Sequence, residues 1–132
     1  MVASSGRPTR ILLVDDHPAV SQRIGELLAG ALPGAEMVSA VSGEEGLSLA
    51  WTQPFDLVLL DLRLPGRSGI EVLKELRAIK PLLPVIIVSS LPEAPYATLA
   101  RRAGAVDFVT KSALVQNLGR VVKSALGDRA MT

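Results

Sequence analysis

The chain has 132 residues, no cysteine, 14 basic against 13 acidic side chains for a net charge of +1, and a mean hydropathy of +0.37. These values fit one folded domain and exclude a disulfide framework, a thiolate metal site and a basic footprint for nucleic acid or anionic lipid. With 3% aromatic residues the core must be aliphatic, and with neither a signal-peptide pattern nor a membrane-spanning apolar run the expected location is cytoplasmic.

Residues 1–9, MVASSGRPT, read as a disordered tail, and Arg10 to Val14 as a first strand ended by Asp15 and Asp16. Pro18 suits a first helical turn, and Val20, Ile24, Leu27, Leu28 and Ala31 recur at helical spacing up to a close at Gly34. Met37 to Val41 reads as an edge strand. Ser42 with Glu45 is a capping-box signature for a helix expected to turn Leu47, Ala50 and Trp51 inward. Leu57 to Leu60 is too short for a helix and too uniformly apolar for a half-solvated strand, so it reads as a central parallel strand buried on both faces, with Asp61 at its carboxyl end. Ser68 can cap a helix over about 69–80 with Ile70, Leu73, Leu76 and Ile79 inward.

Val85 to Val88 forms a fourth strand ending in Ser89 and Ser90. The segment LPEAPYATLARRAG has mostly alanine for an inner face, so its helix should be weakly buried and the most mobile. Val106 to Val109 gives a fifth strand ending at Thr110 and Lys111, and Leu114, Leu118, Val121, Val122 and Ala125 mark a strongly amphipathic last helix. Five strands alternating with five helices predict an α/β fold, a doubly wound five-stranded parallel sheet of flavodoxin-like order 2-1-3-4-5 in three α/β/α layers. That order would bring Asp15, Asp16 and Asp61 together at the switch point, with Ser89 and Lys111 ending neighbouring strands on the same edge. Three close carboxylates need a counter-charge, and oxygen ligands in an open site suit Mg2+ (or Mn2+). A carboxylate is also a nucleophile toward phosphoryl groups.

LLVDD (12–16), DLVLLDLRLPGRSG (56–69), PVIIVSS (84–90) and GAVDFVTKS (104–112) resemble, in order and spacing, the four motifs of the receiver domain of two-component response regulators. The resemblance runs from about residue 10 to 126 and sets expected bounds of 10–127 for the domain, with a short tail at 128–132. It implies Asp61 as the phosphate acceptor, and Asp15, Asp16, Asp61 and the backbone carbonyl of Arg63 as metal ligands, Asp16 more directly than Asp15. Ser89 would be the switch hydroxyl, Phe108 the aromatic switch and Lys111 the phosphate-binding ammonium. A histidine kinase or phosphotransfer protein would be the donor. Ser90 stands where Ala or Gly is usual, Phe108 where Tyr is commoner, and Ser112 where proline often follows the lysine, so the Lys111–Ser112 bond is expected to be trans.

The resemblance implies a signalling module and not an enzyme: it would turn over only its own phosphate, and switch its fourth helix, fifth strand and fifth helix to control homodimerisation or a separate effector. An aspartyl-phosphate phosphohydrolase of the haloacid dehalogenase type would want a second Asp where Arg63 stands. A flavin carrier would want a phosphate loop where DDHP stands. Only GDRAMT follows Leu126, so the chain as given is expected to act through protein contacts without binding DNA. The competing expectation is the receiver part of a longer DNA-binding regulator.

Overall fold

In a computed structural model, residues 7–127 are described. The expected tails at 1–6 and 128–132 lie outside them. Of the supposed tail, 7–9 are tied to the domain: Arg7 pairs with Asp56 at 3.3 Å, and the Thr9 carbonyl accepts from the Glu36 amide at 2.8 Å.

Five parallel strands, β1 (Arg10–Val14), β2 (Glu36–Ala40), β3 (Leu57–Leu60), β4 (Val85–Ser89) and β5 (Asp107–Thr110), stand in the order β2-β1-β3-β4-β5. Between them run α1 (Pro18–Ala31), α2 (Gly43–Thr52), α3 (Gly69–Ile79) and α4 (Glu93–Arg102). A single 3-10 turn (Lys111–Ala113) leads into α5 (Leu114–Leu126). The first crossover moves the chain one way along the sheet and the next three move it back. Right-handed connections therefore put α1 on one face and α2, α3 and α4 on the other.

Strand alternation divides the core accordingly. Leu12, Val14, Val58, Leu60, Val85 and Ile87 face the α2–α3–α4 layer, while Ile11, Leu13, Leu57, Leu59, Ile86 and Val88 face α1 and α5. All four residues of β3 are fully buried, which is why that strand shows no polar alternation.

Several sequence expectations change in detail. The first helix is capped at Leu32, whose amide reaches the Leu28 carbonyl, and Gly34 follows in the turn with φ +89°. Trp51 is 66% exposed, because α2 packs on Val14 of β1 through Gly46 and on Val72 of α3 through Gly43, with Ala50 buried, and the residue after Ala50 is rotated about 100° away from it. Ser42 caps α2 by accepting from the Glu45 amide, but the Glu45 carboxylate returns to the amide of Val41, one residue earlier than in a capping box. The complete capping box belongs to α3, between Ser68 and Glu71. In α3, Val72 is buried with Leu73 and Leu76, and Ile70 and Ile79 sit at the margins. In α5, Leu126 is buried and Ala125 only half-buried. α4 buries only Ala97 and Ala100, as its alanine face suggests, and Ala94 near its start is non-helical. The Lys111–Ser112 peptide bond is trans.

Candidate functional site

The backbone fixes the acidic residues before any side chain acts. The Asp15 amide donates to the Ala40 carbonyl and the Asp61 amide to the Val14 carbonyl, both at 3.0 Å, extending the ladders of β1 and β3 by one residue. Asp15 and Asp61 are thus held side by side at the carboxyl edge where the strand order reverses, which is where open parallel sheets bind ligands. Asp15, Asp61 and Ser89 are the buried polar residues among those described.

Asp61 divides its carboxylate between two donors: the Arg63 amide reaches Oδ1 at 3.1 Å and the Lys111 ammonium reaches Oδ2 at 2.9 Å. Lys111 arrives from the end of β5, and its Nζ also lies 3.0 Å from Asp15 Oδ2, an ion pair out of line for a hydrogen bond. Burial pushes the Asp61 carboxyl above its ordinary pKa of 3.8. The bonds from Lys111 and Arg63 oppose the rise without cancelling it. For Lys111 burial acts downward, but the adjoining carboxylates of Asp61 and Asp15 outweigh it, and the ammonium pKa ends above its ordinary 10.5.

The sequence reading passed over His17. Its amide donates to Asp15 Oδ1 at 2.7 Å, and its ring Nδ1 lies 3.0 Å from that oxygen, 3.2 Å from Asp16 Oδ1 and 3.7 Å from Asp61 Oδ2. Placed between Asp16 and a helix-starting Pro18, this imidazole was legible as a neighbour of the carboxylates. One ligand atom from each of Asp15, Asp16, His17 and Asp61 can be chosen so that all lie within 4.8 Å of one another. Asp15 Oδ2 and Asp16 Oδ1 are buried without a hydrogen bond. Asp15 Oδ2 meets the Lys111 ammonium and Asp16 Oδ1 the His17 ring, and a divalent ion would add the coordination that these close carboxylates lack, so the residues fit one.

The other expected residues surround this cluster. Ser89 ends β4 fully buried, its hydroxyl oxygen accepting from the Leu91 amide at 3.1 Å. Ser90 beside it is exposed. Arg63 meets Asp61 through its amide, and it forms an isolated antiparallel bridge with Ser68 that closes the turn before α3. Phe108 is 4% exposed and packs inward among the residues of the α2–α3–α4 layer.

Residues 11–123 match the family model described as the response regulator receiver domain. The chain is 38% identical over 104 residues to the glycerol metabolism activator of Pseudomonas putida, covering 78% of this chain and 47% of that protein. It thus spans about half the length of that relative. Among solved structures, a two-component response regulator of the LuxR family from Aurantimonas superposes with a TM-score of 0.84 at 32% identity, over 93% of this chain and 88% of that one. The response regulator TrrA from Thermotoga maritima, solved in complex with Mg2+ and BeF, gives 0.79 at 34% identity, over 89% and 98%.

Proposed function

Because this chain belongs to the response regulator receiver family, we propose that it receives a phosphoryl group on Asp61 from a phosphohistidine of a histidine kinase or phosphotransfer protein. The observation that carries the assignment is the pairing of Asp61 Oδ2 with Lys111 at 2.9 Å on a carboxylate 1% exposed, beside two further aspartates. An Asp61 oxygen attacks phosphorus, a P–O bond forms, the P–N bond of the donor breaks, and the donor imidazole leaves with the bonding pair and takes up a proton. A bound Mg2+ or Mn2+ would neutralise charge on the equatorial oxygens. Asp15, Asp16, Asp61 and the Arg63 carbonyl would hold that ion. Lys111 would follow the transferred group, and the Ser89 hydroxyl would bond it once turned from Leu91.

The output we propose is a changed α4–β5–α5 surface, with Phe108 coupling it to Ser89 by ring packing alone, since Phe has no hydroxyl to hydrogen-bond. The buried face of α4 is only two alanines, so that helix can shift at low cost. A partner protein or a second copy would read the surface. A second reading is favoured by the relatives: similar proteins include a transcriptional regulatory protein of which this chain covers 28%, so the domain would serve as the receiver of a DNA-binding regulator. Among the described residues no helix is long and apolar enough to cross a membrane, and the proposed kinase-facing role supports a cytoplasmic location.

Incubation with Mg2+ and a small phosphodonor, followed by intact mass, should add one phosphate to the wild type and none to Asp61→Asn. Retained phosphate in that variant would move the acceptor elsewhere.

A further inference from the structure

The acidic edge contains a nitrogen donor that oxygen-only coordination leaves without a purpose. His17 is the only histidine in the chain, and there is no cysteine. Its Nδ1 faces oxygens of three different carboxylates at 3.0, 3.2 and 3.7 Å. Two ligands about 2.1 Å from one ion and at right angles stand about 3.0 Å apart, so these are spacings between ligands of a common ion. The 3.0 Å contact to Asp15 Oδ1 is also a good hydrogen-bond distance, but one ring nitrogen carries at most one proton, so hydrogen bonding accounts for one of the three oxygens.

The same nitrogen lies 3.3 Å from the Lys111 ammonium. Lysine has donors only, so a bond there requires Nδ1 to present a lone pair, while a bond to Asp15 Oδ1 requires it to present a proton. No single tautomer serves both. A metal ion among these atoms would resolve the conflict, taking the lone pair together with Asp16 Oδ1 and with Asp15 Oδ2, which makes no hydrogen bond and is paired with Lys111 at 3.0 Å. Asp15 is 2% exposed, so water cannot readily serve its oxygen instead. Nor is the ring needed by the helix: His17 stands at the N-cap of α1, but its side chain makes no capping bond. The side chain as a whole is 55% exposed, so the ring is not locked in the core.

We propose that His17 is a ligand of the ion bound at this edge, and that its imidazole gives the chain a preference for borderline divalent ions such as Co2+ and Ni2+ over Mg2+. The inference rests on the reading of this edge as the divalent-cation site of phosphoryl transfer and adds which ions compete there. Oxygen-only sites suit Mg2+, whereas imidazole favours the later first-row metals.

The test uses the tag-free chain, titrated calorimetrically with MgCl2, CoCl2 and NiCl2, as wild type, His17→Ala and His17→Asn. Both variants should lose roughly tenfold or more in Co2+ and Ni2+ affinity and much less for Mg2+. With Mn2+ as a paramagnetic probe, pulsed EPR should show an imidazole 14N coupling in the wild type that disappears in both variants; with one histidine in the chain, the assignment is unique. Absence of that coupling, or equal losses for Mg2+ and Ni2+, would overturn the proposal. Phosphorylation of wild type in Mg2+ is followed by intact mass on the same preparation. If phosphate is added while the nitrogen coupling is absent, the His17 proposal alone falls; if neither metal nor phosphate binds, both readings fall.

Discussion

Gly69 is where the fold and the chemistry can be perturbed by one methyl group. It begins α3, and its amide donates to the Leu62 carbonyl at 2.8 Å, pressing the helix start against the end of β3. A Cβ at this position would lie 2.3 Å from the Asp61 carbonyl oxygen and 2.5 Å from the Leu62 Cα. Contacts under 3.0 Å essentially do not occur, so the two backbones must part by at least 0.7 Å, the difference between 3.0 and 2.3 Å. No side chain can rotate to absorb this, because both opposing atoms are main chain. Overpacking costs about 1–3 kcal/mol, and the entropy that alanine saves over glycine returns at most about 1 kcal/mol. Gly69→Ala should therefore be destabilised by about 1–2 kcal/mol in urea unfolding. Since the displaced atom belongs to Asp61 itself, the phosphorylation rate should fall by about tenfold or more, an ångström of misplacement being worth about a hundredfold. Gly30→Ala is the control: nothing lies within 4 Å of its Cβ, and it should gain about 0.5–1 kcal/mol. A Gly69→Ala protein with wild-type stability and an unchanged phosphorylation rate would refute the reasoning.

Asp61 has a raised pKa in the fold, so its proton is held more tightly there than in the unfolded chain; its contribution to stability is present below 3.8 and is lost as pH rises through the folded value. Asp61→Asn cannot titrate and should gain on the wild type across that window in urea midpoints taken at successive pH values; a difference flat with pH would contradict the assignment. Phe108→Ala should lose about 3–5 kcal/mol of stability from a ring 4% exposed, while Phe108→Tyr stays folded. If the alanine variant, once phosphorylated, binds its partner normally, Phe108 is no switch. Trp51→Ala should change stability by no more than about 0.5 kcal/mol, since the ring is mostly solvated, and a larger loss would mean that α2 depends on it.

The sheet was legible because β3 and β4 carry nothing polar until their carboxyl ends, so the apolar runs and the first polar residue mark both the strand and the site edge. The helix faces were less legible where small residues do the burying. Gly46 seats α2 on β1 and Gly43 seats it against α3, with Ala50 buried, and hydrophobicity alone gave Trp51 the inward position that this packing denies it. In α3, Ile70, Leu73, Leu76 and Ile79 keep perfect spacing, yet Val72 is fully buried and Ile70 only partly, a rotation that periodicity over three turns cannot resolve. At the site, strand order was enough to gather Asp15, Asp16, Asp61 and Lys111. That the lysine bridges Asp15 as well as Asp61, and that His17 joins them, depends on side-chain reach, which spacing does not encode.

The charge count around Asp61 bears on how the proposed switch would work. Leaving the His17 ring aside, three carboxylates meet one ammonium, a formal sum of −2 with two oxygens lacking hydrogen bonds. A divalent cation would bring that sum to zero and favour the ionised form of Asp61, opposing the burial that raises its pKa, so the ion that would stabilise a transferred group would also favour the nucleophilic form. The proposed transfer would replace a carboxylate of charge −1 with a phosphoryl group of about −2 and break the balance again by roughly one unit. The groups able to answer that excess are donors at the ends of β4 and β5: the Lys111 ammonium, 14% exposed, and the Ser89 hydroxyl, now bonded to Leu91 at the approach to α4. Turning Ser89 toward new oxygens would break its bond to Leu91. The release would then be felt first by the helix that follows, which buries only two alanines.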